Sequence, residues 1–355
     1  VVEESGSSTA STPLTNPLTT DGDGYFEAWI NGPGKQVSAK VSGTGVTERT
    51  RTLSFRRDTA DDVVSVKSFG AVGDGATDDT AAIQAALDLG GTILLPQGTY
   101  KISSTLTIGN GSATVNSSIQ SVRFIGNGAV NAAPAGTTEA HLFGFPVLAW
   151  YGADLGVMLK FLGPMQNCEL RGIGFDCRSI AGTAVLGFDL QESLISQCKA
   201  IMYKGDTAPG PAALDLRAYS YADAVPSSAL ISANGGNHVT VERWYGFSSL
   251  ANTVGISLGN LAALTPDITV TVGGITADHG PDVSQCNLLN CVVRADDGTA
   301  GGAAGSVGLR LRFTDKIGVA ESSFACETPI EVRPPRGGVP TLWPHALVVS
   351  NPSTD

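Results

Sequence analysis

Residues 64 to 100 decide the fold: Val64-Ser-Val-Lys-Ser-Phe-Gly-Ala-Val-Gly-Asp-Gly-Ala-Thr-Asp-Asp-Thr-Ala-Ala-Ile-Gln-Ala-Ala-Leu87, then Gly90-Gly-Thr-Ile-Leu-Leu-Pro-Gln-Gly-Thr-Tyr100. Val64, Val66 and Phe69 mark a short strand, and Gly70, Gly73 and Gly75 permit positive φ in the turns that follow. Thr77 reads as an N-cap, with Asp78 and Asp79 in the first turn, where the helix dipole favours negative charge. Ile83, Ala86 and Leu87 fall at i, i+3 and i+4, so the spacing predicts an amphipathic helix over 77–89 that Gly90-Gly91 ends. Such a helix covers the open apolar end of a stacked solenoid and protects its edges from fraying and aggregation. Asp74, Asp78 and Asp79 are accordingly read as turn and cap residues rather than as a metal or acid cluster.

Short alternating runs recur downstream, at 122–125, 168–175, 239–244, 286–293 and 317–324. A shift of 123 residues lays 182–194 over 305–317, placing Leu186, Phe188, Leu190, Glu192 and Leu194 on Leu309, Leu311, Phe313, Asp315 and Ile317. At about 20 to 30 residues per coil, the region after Val63 holds on the order of ten turns. Two stretches rich in Pro, Gly and small residues, 204–236 and 259–285, interrupt the strand rhythm and are candidate surface loops.

The 64–100 run resembles the opening of the pectate-lyase-like superfamily, to which many phage tailspikes belong. The fold this implies is all-β: a right-handed parallel β-helix over 63–355, capped by a short N-terminal α-helix and preceded by a small β-hairpin module. Residues 1–11 are Ser-rich without apolar periodicity and read as a flexible tail, and 57–62 read as a charged linker. Between them, residues 12–56 alternate between turn signals (Asn16-Pro17, Asp21 to Gly24, Asn31 to Gly34) and short apolar runs. That stretch is too small for a core of its own. It resembles the N-terminal module that attaches tail fibres and tailspikes to virions.

These resemblances imply a phage virion subunit, a tailspike or tail fibre that recognises host-surface polysaccharide. They also imply a homotrimer, assembled in the host cytoplasm, docked through residues 12–56 onto other tail or capsid proteins. The alternative left open is a polysaccharide depolymerase, hydrolase or lyase, either virion-borne or secreted.

Composition narrows the partners. A net charge of −11 and a pI near 4.8 exclude nucleic acid, whose phosphates need clustered Lys and Arg. The apolar stretch 141–161 contains Pro146, Asp154 and Lys160, so it reads as consecutive strands and no membrane insertion is expected. No charged, apolar leader is read at the start, and the Pro-rich stretch from Pro334 lacks an evident closing helix, so a longer chain or closure by neighbouring subunits is expected. Six Cys without zinc-ribbon spacing read as buried thiols, four isolated His give no metal set, and no cofactor is expected.

Glycan chemistry on such a scaffold needs paired carboxylates across a glycosidic bond, or a base that abstracts a sugar proton. Asp176, Asp189, Asp206, Asp215, Asp223, Glu242, Asp278, Asp282, Asp296 and Asp297 lie in or beside the strand ladder. Sequence selects no pair among them, so catalytic residues stay unassigned, and Asp296-Asp297-Gly298 reads as a turn. The clustered Asp-Asp and Gly-His-Gly runs of polygalacturonases are not recognisable. Trp244, Tyr245, Tyr219 and Tyr221 are the candidate glycan-binding residues, because aromatic faces stack on sugars; the same residue types also fill solenoid corners.

Overall fold

The computed structural model describes residues 2–4, 36–43, 46–54, 63–109, 121–128, 142, 144–207, 210–217, 238–259, 269–272, 275–278, 283–298, 302–312, 314–332 and 347–350. Tyr219, Tyr221, Asp223 and Asp282 lie outside them, as do most of the 204–236 loop and much of the 259–285 loop. The chain divides into two compact units, Val1–Asp62 and Val63–Asp355. In the first, Gln36–Gly43 and Val46–Ser54 form an antiparallel hairpin that closes at Gly43 opposite Val46. Val2–Glu4 adds a third antiparallel strand to it, with Glu3 opposite Ser38. Part of the stretch expected to be an unstructured tail is thus a strand; pairing onto a sheet edge uses backbone groups and needs no apolar periodicity.

The second unit is a right-handed parallel β-helix. Its three parallel sheets run along the axis, with strands entering in the repeating order sheet 1, sheet 2, sheet 3. Among the described residues sheet 1 has nine strands, from Val63–Ser65 to Leu347–Ser350; sheet 2 has eight, from Asp74–Asp78 to Ser323–Ala325; sheet 3 has seven, from Leu106–Ile108 to Thr328–Val332. Inward residues stack on equivalent residues of the next coil, as in the ladder Val64, Ile93, Phe124, Leu170, Ile195, Val241, Leu288, Val319. All eight are buried and belong to one continuous apolar core.

The sequence repeat is real, but its register is displaced by one residue. Val185 stacks through Leu214 and Ile256 on Leu309, and Ile195 stacks through Val241 and Leu288 on Val319, a spacing of 124 rather than 123. Alternation misleads here because residues 183–190 are buried on both faces of sheet 3, so in and out carry the same apolar signal.

Coil corners are set by left-handed residues stacked in columns. Ser121, Asn167, Glu192, His238, Gln285 and Lys316 precede successive sheet 1 strands, and Gln197, Arg243, Asn290 and Glu321 follow them, all at φ between 48° and 63°. All six Cys are free and buried, four of them at corners beside these columns. Burial pushes the thiols up, Cys198 and Cys286 to about 12 and Cys291 and Cys326 to about 11, which leaves them unreactive.

The cap helix is shorter than the spacing predicts, spanning Thr80–Leu87, and Asp74–Asp78 is a strand of sheet 2. Thr77 is not the N-cap, because Asp74 takes both its N–H (2.8 Å) and its hydroxyl (2.9 Å) in a local turn. The Asp78 carboxylate instead receives Thr80 N–H at 3.0 Å and Ser103 O–H at 2.5 Å. Asp79 is buried and accepts from the N–H groups of Val72 (2.6 Å) and Gly73 (3.0 Å), closing the preceding turn. Ile83, Ala86 and Leu87 face the core as the spacing requires. Gln84 pairs with Thr107 through both amide atoms, at 2.7 and 2.8 Å, completing the outermost strand of sheet 3 with a side chain. Val66–Phe69, expected as strand, is a 3-10 turn capped by Ser65.

Candidate functional site

The outer face of sheet 2 carries two columns of side chains, one from every second residue of each strand. The first runs Thr99, Val147, Gly174, Lys199, Tyr245, Val292, Ser323; the second runs Lys101, Ala149, Asp176, Ile201, Phe247, Arg294, Ala325. Strands in a ladder lie about 4.8 Å apart, so groups in one column are evenly spaced along the solenoid.

Tyr245 sits in this first column, half-buried, and the Lys199 ammonium lies 5.6 Å from its ring centroid. The same ammonium lies 4.9 Å from the Phe145 ring, so one cation bridges two aromatic groups. Burial lowers the Lys199 pKa and raises that of Tyr245, against an opposing effect of Arg294. Where the strand leaves sheet 2, a second cluster forms from three consecutive coils. The Arg178 guanidinium lies 4.1 Å from the Tyr151 ring centroid and donates to the Tyr151 hydroxyl at 2.7 Å, and Lys101 lies 5.0 Å from that ring.

Trp244 is elsewhere. It is 1% exposed and packs in the core at the corner column with Cys198 and Cys291, so it offers no face to a saccharide. The expectation for that residue is corrected: neighbours at a corner point opposite ways, and the aromatic doublet 244–245 is split between core and surface. Of the four aromatic candidates, the described structure places Tyr245 alone on an outer face. Phe145, Tyr151, Lys101, Arg178 and Lys199 were not singled out by the sequence, because they come together only through stacking of coils.

The carboxylate candidates also separate. Asp189 and Asp215 lie on adjacent strands of sheet 3 and are 4% and 1% exposed. Arg217 pairs with Asp215 at 2.6 Å, and both Arg217 and Lys160 approach the Phe188 ring between them, at 5.7 and 5.4 Å. Burial raises the Asp189 pKa, opposed by a hydrogen bond from Gln191 at 3.2 Å. Glu242 is on sheet 1, 3.5 Å from Arg243, and Asp206 accepts from Thr207 N–H within its own loop. Asp296 accepts from Gly298 N–H at 2.9 Å, the turn its sequence indicated, and Asp278 ends the second strand of a small hairpin. Among the described residues no cluster of His, Cys, Asp and Glu could hold a metal, and no helix is long and apolar enough to cross a membrane.

Residues 63–161, from the first strand through the first three coils, match the family described as rhamnogalacturonase A/epimerase, pectate lyase-like. That segment is similar to the opening of a pectate-lyase-like β-helix. Mannuronan C5-epimerase AlgE3 of Azotobacter vinelandii is 50% identical to this solenoid protein over 60 residues, 16% of this chain and 3% of that one. Alginate lyase 7 of the same organism is 47% identical over 60 residues, 16% of this chain and 7% of that one. The chain therefore spans only a small part of the curated relatives it matches. Among solved structures, ORF18 of Geobacillus virus E2 is similar with a TM-score of 0.38 and 13% identity, covering 84% of this chain and 66% of that one.

Proposed function

We propose that this pectate-lyase-like protein is a subunit of a phage tailspike or tail fibre and that the outer face of sheet 2 binds host-surface polysaccharide. One observation carries the binding reading: Tyr245 beside Lys199, and Tyr151 between Lys101 and Arg178, put rings and cations along one face of a rigid ladder. Aromatic rings stack on sugar faces while cations donate to hydroxyl and acidic oxygens, and the regular rise of the coils suits a linear polymer. The virion location rests on the resemblance of residues 12–56 to attachment modules. In this reading the subunit is a homotrimer, assembled in the host cytoplasm, and docks on other tail or capsid proteins through that module.

The test is binding of purified host capsule or lipopolysaccharide to immobilised protein. Tyr245→Ala is expected to weaken binding at least tenfold without lowering the melting temperature, since the residue lies outside the core cluster. Unchanged affinity would remove the sheet 2 reading.

A depolymerase reading is favoured by a different observation, the similarity of a 60-residue stretch of this chain to alginate lyase 7. Release of reducing ends from host glycan would support it. Intact glycan after prolonged incubation would leave binding alone.

A further inference from the structure

We infer that Lys101, Tyr151 and Arg178 form a subsite for a negatively charged sugar unit, one bearing a carboxylate, sulfate or phosphate. The inference rests on the sheet 2 binding surface and adds the charge class of the glycan. Lys101 belongs to the strand Thr99–Ile102, Tyr151 follows the strand Val147–Trp150, and Arg178 follows the strand Gly174–Asp176, so three successive coils each supply one group. The Tyr151 side chain is 40% exposed, too open for a core aromatic, and both cationic heads lie against its ring. The hydroxyl of Tyr151 fixes one arm of the Arg178 guanidinium at 2.7 Å, leaving the remaining N–H groups of that planar fork for an anion.

Charge pairing sharpens the argument. In a chain with 33 acidic and 22 basic residues, most cations should find carboxylates. Ion pairs among the described residues take up Arg123, Arg171, Lys204, Arg217, Arg243, Arg294 and Arg310, but neither Lys101 nor Arg178. The two nearest acids are engaged locally: Asp78 accepts from Thr80 and Ser103 and acts on Lys101 only through longer-range attraction, and Asp176 accepts from the backbone N–H of Arg178. Two cations gathered on one exposed ring, in an acidic protein, are complementary to an anionic ligand rather than to a neutral one. Tyr151 acts as the positioning residue, holding both heads where one sugar unit meets them.

The test uses the full chain with hyaluronate, heparin and teichoic acid as carboxylate, sulfate and phosphate probes, and dextran as the neutral control. Affinity is measured by calorimetry at low and at raised salt, for the wild type, Lys101→Gln/Arg178→Gln and Tyr151→Phe, with melting curves to verify folding. Binding of at least one acidic polymer is expected, weakened at least tenfold in the double variant and by salt, with a smaller loss in Tyr151→Phe and little binding of dextran. The polymer that binds identifies the anionic group. Acidic-polymer binding that the double variant retains, or dextran binding as tight as the acidic polymers, overturns the subsite. If Tyr245→Ala abolishes binding while the double variant does not, the sheet 2 surface stands and the subsite alone fails; if no polymer and no host glycan binds, both fail.

Discussion

At the scale of single residues, three aspartates that sit within six positions do three different jobs. Asp74 folds a local turn, Asp78 ties the helix start to Ser103 on the next coil, and Asp79 is buried with two backbone N–H donors. Asp79→Ala would leave those buried donors without their charged acceptor, and a loss of about 3 kcal/mol is expected in urea unfolding. A loss under about 1 kcal/mol would show that the turn is held by other contacts. Ile83→Asp, which places a charge in the core, is expected to cost about 4 kcal/mol or to prevent soluble expression. Asp78→Asn should lower stability modestly at neutral pH and leave glycan processing untouched. Its hydrogen bond from Ser103, then that from Thr80, lowers the Asp78 pKa below the ordinary 3.8. Its stabilising effect is therefore complete above that value and disappears as pH falls through the lower folded value. Melting temperatures of the wild type and the Asn variant should converge on acidification through this range; a constant difference would exclude the linkage.

At the scale of elements, solenoid ends and corners hold the least visible information. Gln84 substitutes for a missing strand at the edge of sheet 3, and Gln84→Ala is expected to cost about 1 to 2 kcal/mol and to promote association through the uncovered edge. Unfolding and light scattering of the variant check both effects. The cap helix and its buried triad were legible because they occupy one continuous run with a helical period. The coils were legible as a repeat, yet their register was not, since sheet 3 is buried on both faces at 183–190 and gives no alternation to align. Corners were missed for a different reason. Their left-handed residues include Glu192, Arg243, Lys316 and Glu321, long side chains with no preference for positive φ, and the stacked columns rather than local propensity hold them there. The candidate site was legible at Tyr245 alone. Lys101, Tyr151 and Arg178 are separated by whole coils in sequence, and no local pattern links residues joined only by stacking.

At the scale of the whole molecule, the division at Asp62 and Val63 separates two units of unequal self-sufficiency. The β-helix has its own core and its own closing helix, with Ile83, Ala86 and Leu87 buried in it and Gln84 satisfying the first edge. The N-terminal unit shows three antiparallel strands among its described residues, and small sheets of this kind are marginal without further packing. A chain beginning at Val63 is therefore expected to fold and to melt as the full chain does. The same chain should lose two properties assigned to residues 12–56: incorporation into particles and, if that module drives association, the trimeric mass seen for the full chain by light scattering. Particle purification followed by protein detection reads the first, and multi-angle scattering reads the second. Normal incorporation of the truncated chain would remove the attachment role, because nothing else in the sequence points to a virion dock, and would favour a freely acting polysaccharide enzyme. A full-length chain that stays monomeric at micromolar concentration would remove the trimer instead, and glycan binding would then have to arise from one solenoid face.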